Sequence, residues 1–281
     1  MGEKTIWRKA LDLDHRIIAS GIYLIITYMI LSPIAIPFPI SPYGQNYYDF
    51  IQEIPAGETI GFMMADSVST KPQLKPSTTI TMKILFEKDV KIVFWYDTAD
   101  SVILLVEYLN DVEVMLGRDL IDGVDYVDLG FIAGQETGAV ALLESIRAVT
   151  GGVDVNGVDL DSIPIMEGID GGADWDYGLF NVACQCTEPM YIRQWGDPYG
   201  TKVASINCAM DLPAITLYLA TGQLKATANG LLGSAEVEYL SGNLGLAFGQ
   251  TLAVSFAGLY FSILVILGNA FYFIDRSSGG S

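Results

Sequence analysis

Two uncharged apolar stretches, one towards each end, constrain this chain more than anything else in it. They are Ile17 to Ile40 (IIASGIYLIITYMILSPIAIPFPI) and Leu252 to Ile274 (LAVSFAGLYFSILVILGNAFYFI). A helix rising 1.5 Å per residue crosses a bilayer in about 20 residues, so both stretches are expected to be transmembrane helices. Pro33, Pro37 and Pro39 loosen the far end of the first, where a helix can stop at the interface, and Tyr260 and Tyr272 are placed to anchor the second. The competing reading of the first is a cleaved signal peptide. It is longer than the usual apolar region of about 7–15 residues, and no small-residue cleavage site follows it.

The expected order is a cytoplasmic segment 1–16, a span 17–40, a domain 41–248, a span 249–274 and a tail 275–281. Lys4, Arg8, Lys9 and Arg16 precede the first span and Arg276 follows the second, so the positive-inside bias places both termini in the cytoplasm. The intervening domain carries 10 of the 15 basic and 29 of the 33 acidic residues and is expected on the extracytoplasmic side. A formal charge of −18 without a basic cluster excludes nucleic acid as a partner, because that affinity depends on Lys and Arg neutralising phosphates. The single histidine, His15, lies beside a span, which leaves no imidazole in the domain for a catalytic triad or a zinc site.

Within the domain, compact apolar runs alternate with amphipathic stretches. Strands are expected at Thr59–Ala65, Val90–Tyr96, Tyr126–Ile132, Tyr177–Val182 and Lys202–Asn207. Helices are expected at Ser77–Glu87, Ser101–Leu116, Thr137–Val149, Pro189–Trp195 and across a long tract, Asp211–Leu240. Runs of this kind, alternating with helices, predict an α/β fold: a three-layer Rossmann-like sandwich around a mostly parallel sheet of about five strands. Tyr43–Pro55 reads as a tether, and Ser241–Gln250 as the return linker.

Ligands of such sheets bind beyond the carboxyl ends of the strands. The candidates there are Asp66, Ser67 and Thr70 after the first strand, Asp97 after the second, and Gln135 and Glu136 after the third. Gln185, Thr187, Asn207 and Asp211 follow the later strands. The same residue types cap helices, and every βα turn needs a cap. Gly130-Phe-Ile-Ala-Gly134-Gln-Glu-Thr-Gly138 lacks both phosphate-loop patterns, and Glu136 would repel an anion, so it reads as a tight turn. Asp154, Asn156, Asp159 and Asp161 gather oxygen ligands of the kind Ca²⁺ takes, although the spacing departs from an EF-hand and Asn/Asp turns bond to their own backbone. No other cofactor is expected. Cys184 and Cys186 point to one side and Cys208 ends the next strand, which allows either a disulfide or buried thiols.

Several segments together carry a resemblance. They are Asp66-Ser-Val-Ser-Thr70-Lys-Pro-Gln-Leu74-Lys-Pro76, Leu129-Gly-Phe-Ile-Ala-Gly134, Asn156-Gly157 leading to Ile163-Pro-Ile-Met-Glu-Gly168, Gly222-Gln-Leu, and Gly230-Leu-Leu-Gly-Ser-Ala-Glu236-Val-Glu238-Tyr239. As a set, over roughly residues 59–240, they resemble a family of uncharacterised prokaryotic membrane proteins. The resemblance implies a Rossmann-like domain attached to membrane helices and implies no activity.

Two function classes follow. The first is a structural or interaction protein in the lipid bilayer that assembles with itself or with other membrane subunits, using small residues such as Gly21 and Gly258 where helices approach closely. The second is a membrane-bound enzyme or small-ligand receptor that uses the strand-end carboxylates.

Overall fold

A computed structural model describes residues 11–12, 14–32, 34, 36–183 and 187–277. The chain divides into two compact units, Pro37–Ala247 and a helical unit formed by the two chain ends, Met1–Ile36 with Phe248–Ser281.

The larger unit is built on six parallel strands: β1 (Thr59–Ala65), β2 (Lys91–Tyr96), β3 (Tyr126–Phe131), β4 (Tyr177–Val182), β5 (Lys202–Asn207) and β6 (Ala226–Asn229). Their order in the sheet is β3-β2-β1-β4-β5-β6, so the winding reverses between β1 and β4. The α/β expectation holds, with one strand more than the five foreseen. β6 lies inside the tract read as one long helix. It has four residues, two of them alanine, and gives no period-2 pattern to read.

Side-chain alternation sends each strand's residues into two cores. Ile60, Phe62 and Met64 face the helices α2 (Pro42–Glu53), α3 (Lys71–Glu87) and α4 (Ala99–Leu116). Met63 and Ala65 face α5 (Glu136–Glu144), α6 (Ile146–Thr150), α7 (Thr187–Tyr191) with its π-helical continuation Ile192–Gly196, and α8 (Leu212–Thr221). A last helix, α9 (Gly230–Leu240), returns to the first face through Val237. The segment read as a tether is therefore α2, capped by Ser41, whose hydroxyl accepts from the Gly44 N–H. Burial of Tyr47, Phe50, Ile51 and Ile54 makes it part of the core.

The second core is centred on aromatic rings. Trp95 stacks on Trp175 at 5.4 Å, and Trp195 meets both. Gly61 and Gly178 are paired in register on β1 and β4, and together they leave the trough that the Trp195 ring fills. A Cβ at Gly61 would stand 2.7 Å from that ring, and one at Gly178 closer still.

In the helical unit, α10 runs from Leu246 to Ser277 with a mean hydropathy of 2.1 over its most apolar window, and is long and apolar enough to cross a membrane. The first expected span is shorter than foreseen: α1 covers only His15–Leu31, 17 residues. It starts at Asp14, whose carboxylate accepts the Arg16 N–H, and stops where Ser32 leaves helical geometry. Pro33 follows in the sequence, and a residue before proline is pushed out of the α region. At 1.5 Å per residue α1 is about 25 Å long, against about 30 Å of hydrocarbon. Among the described residues, one helix rather than two therefore meets the criterion for a span.

Candidate functional site

The carboxyl ends of β1, β2, β4 and β5 bring together most of the buried polar side chains of the sheet. They form two groups on opposite faces, meeting at the point where the winding reverses.

On the α3/α4 face stands Asp66, fully buried. One of its oxygens accepts the Ser67 N–H at 2.7 Å and the Thr70 hydroxyl at 2.8 Å, and the other accepts the Tyr108 hydroxyl. Burial raises its pKa, and the hydrogen bonds from Tyr108, Thr70, Ser67 and Asn181 partly offset the rise. Asn181 on β4 is buried as well; its amide Nδ2 donates to Thr78 at 3.0 Å, and its Oδ1 has no partner.

On the other face, Glu188 at the start of α7 is fully buried. Its Oε2 accepts from Asn207 Nδ2 at 3.0 Å, while its Oε1 has no partner. Burial pushes its pKa up to about 7, Ser205 and Asn207 pull it down, and the nearby Asp211 carboxyl adds to the rise. Asp211 follows β5 and is buried, with neither oxygen in a well-formed hydrogen bond; burial raises its pKa, and the neighbouring Cys208 backbone N–H partly offsets the rise. Asp97, after β2, is raised by burial and bonded to Thr187. Polar side chains on β5 and β6 complete this wall: Ser205 donates to Thr227 at 2.9 Å, and Asn229 donates to Asn207 at 2.5 Å and to the Cys208 carbonyl at 2.9 Å.

What distinguishes this wall is that, among the described residues, no cation pairs with it. Lys71 and Lys75 are both taken by Glu107 at 2.6 Å, with Asp111 also on Lys75. Arg193 pairs with Glu136 at 3.6 Å and Lys202 with Glu53 at 2.6 Å. Buried carboxyls are ordinarily paired or hydrogen-bonded, and a buried one left without partners costs stability. Such groups concentrate at functional sites.

The six candidate residues read from the sequence separate. Asp66, Ser67 and Thr70 form one closed turn, and Asp97 belongs to the second wall. Gln135 and Glu136 lie on the surface, where Glu136 accepts from Gln194 at 2.8 Å and Gln135 adopts a φ of 50° at the entry to α5. Gln185, Cys184 and Cys186 lie outside the described residues, as do Lys4, Arg8 and Lys9. Cys208 is a free, buried thiol, and burial pushes its pKa up to about 11. Sequence reasoning missed Asn181, inside a strand, and Glu188, which is one of 33 acids. The one available signal was Glu188's place at the start of the helix after β4.

The four residues considered for Ca²⁺ are occupied by the chain itself. Asp154 accepts the N–H groups of Asn156 and Val158 at 2.9 and 2.7 Å. Asn156 donates to Asp122, Asp159 caps a short 3₁₀ turn, and Asp161 pairs with Arg147 at 2.8 Å. Among the described residues no group of three His, Cys, Asp or Glu is placed to hold a metal.

The strand order is that of dinucleotide-binding sheets, in which pyrophosphate sits on the first βα turn. Here that turn has no glycine, and its N–H groups are already used by carboxylates: Ser67 donates to Asp66, and Val68 to Asp100 at 3.3 Å. A dinucleotide does not fit. A surface hollow lined by Thr59, Lys91, Gly123, Val124, Pro164 and Glu167 lies at the opposite, amino ends of β1 and β2. Its cation, Lys91, pairs with Asp89 at 2.7 Å. Comparison with family models, with curated proteins and with solved structures finds no match to this chain.

Proposed function

We propose that the protein is a membrane-associated binding domain that takes a small molecule at the carboxyl ends of β1, β4 and β5. The observation that carries this reading is Asp211, a buried carboxyl with both oxygens unpartnered, beside Glu188 with one oxygen unpartnered. A domain selected only for stability would pair these groups or replace them, whereas a ligand site holds them ready. Attachment to a bilayer through α10, and extracytoplasmic placement of the domain by the flanking charges, belong to the same reading. The test uses the full chain in detergent. Small molecules released from the wild type and from Glu188→Gln/Asp211→Asn are compared by mass spectrometry. The reading predicts a species retained by the wild type and lost from the variant; identical extracts would overturn it.

A second reading, assembly with copies of itself through the helical unit, is supported by Gly258. Nothing lies within 4 Å of where its Cβ would stand, and Val254, Leu259 and Phe261 around it are exposed. Gly21 does not share this role, because the Tyr260 ring and hydroxyl of the same chain cover it. Gly258→Leu should reduce the oligomer size measured by native mass spectrometry. An unchanged size would remove the helix from assembly.

A further inference from the structure

We infer that the ligand of the strand-end site bears a cationic, hydrogen-bond-donating nitrogen, an ammonium or guanidinium group, seated against Asp211 and Glu188. The inference rests on the binding reading above and specifies what is bound.

The donors and acceptors at the strand ends carry it. Every side-chain amide that the sheet contributes is spent: Asn181 Nδ2 on Thr78, Asn207 Nδ2 on Glu188, and Asn229 Nδ2 on Asn207 and Cys208. The hydroxyl of Ser205 is shared between Thr227 and Glu188. Four buried acceptors are left: Asn181 Oδ1, Glu188 Oε1 and both oxygens of Asp211. When Glu188 and Asp211 are ionised they offer acceptors only, so a complementary partner then has to bring donors.

The charge balance selects among donor-bearing ligands. Lys71, Lys75 and Arg193 are committed to other acids, and among the described residues no cation pairs with Glu188 or Asp211, so the wall keeps an uncompensated negative potential whenever its carboxyls ionise. That potential repels phosphates and carboxylates. It attracts a cation, and bonds from a charged nitrogen to a carboxylate are about twice as strong as neutral ones. A metal ion would need several oxygens converging at about 2.0–2.6 Å, and no group of three such ligands exists among the described residues. A nitrogen cation instead reaches acceptors that stand apart, at about 2.7–2.9 Å from each donor.

The experiment is thermal unfolding of the full chain in detergent at pH 7.5 and constant ionic strength. Putrescine, agmatine and L-lysine are each added at millimolar concentration, with 1,4-butanediol and CaCl₂ as the neutral and metal controls. At least one of the three amines should raise the wild-type Tm by about 3 °C or more, as expected for a ligand well above its Kd. The controls should not, and the shift should vanish in Asp211→Asn, whose own Tm without ligand stays at or above that of the wild type. An equal response to calcium or the diol, an amine shift that survives Asp211→Asn, or no response to any amine would overturn the inference. If a neutral or anionic molecule is retained by the wild type and lost from Glu188→Gln/Asp211→Asn, the binding domain stands without its cation. Identical extracts combined with no amine response remove both.

Discussion

The two ends of the central strands contrast within a few residues. In the body of the sheet β1 and β4 give up side chains altogether: Gly61 and Gly178 let the Trp195 ring lie across both strands, against Trp95 and Phe180. At the carboxyl ends of the same strands, and of β5, the chain buries Asp66, Asn181, Glu188 and Asp211, and leaves three of these four with unpartnered atoms. Polar groups are bearable at that position because the sheet has already been secured below it. The same lesson divides the acids: Asp66 is closed by the donors of Ser67, Thr70, Tyr108 and Asn181 and belongs to the scaffold, whereas Asp211 is open.

The largest effects should fall on the aromatic body. Trp195→Ala empties the trough and should cost about 3–5 kcal/mol, as large-to-small changes in cores do. Gly178→Val drives two methyl groups into the ring and should be comparable. Both are read by chemical denaturation followed through near-ultraviolet circular dichroism, and a change under about 1 kcal/mol would mean that the rings are not what holds β1 to β4.

Asp66→Ala comes next. It strands Ser67 N–H and the hydroxyls of Thr70 and Tyr108, and should cost about 2–3 kcal/mol, the penalty for unsatisfied buried groups. Asp211→Asn, in the same assay, should be neutral or stabilising. Equal losses at the two positions would erase the distinction between closed and open acids.

The smallest effect is expected at the loop considered for Ca²⁺. Asp161 is exposed, and its bond to Arg147 is a surface pair, so Asp161→Ala should change stability by less than about 1 kcal/mol. Chelation should leave the melting temperature unchanged, because Asp154 is satisfied by backbone N–H groups. A drop of several degrees on adding a chelator would assign a metal to that loop.

Much of this architecture is legible in the residues. Thr59–Ala65, Tyr177–Val182 and Lys202–Asn207 read as strands because a parallel strand buried on both faces is a continuous apolar run. β6 escaped because four small residues carry no pattern, and α3 was read too short at its start because Pro72 and Pro76 suggest a break. Pro72 sits in the first turn, where its missing N–H costs nothing. The length of α1 was overestimated because composition continues to be apolar past Leu31, where the helix ends. At the site, Asp66 and Asp97 were readable as residues that follow strands. Openness was not, since whether a carboxyl is capped by its own turn or left without donors depends on contacts such as Asn207 with Glu188, which local sequence does not encode.

The central claim is that Glu188 and Asp211 are held in the fold for a ligand rather than for stability, and their titration tests it most directly. Glu188 has a folded pKa of about 7 against an ordinary value of 4.5. The folded state therefore binds more protons at this group than the unfolded one between those values, and the contribution of Glu188 to wild-type stability should be fullest below about pH 4.5 and decline as pH rises through about 7, against the opposite trend from ion-paired acids such as Asp125 and Asp170. In Glu188→Gln/Asp211→Asn the decline should flatten, and at pH 8, without ligand, the variant should melt several degrees above the wild type. A variant that instead melts well below the wild type at pH 8, with the pH dependence intact, would show these carboxyls to be structural partners and contradict the account.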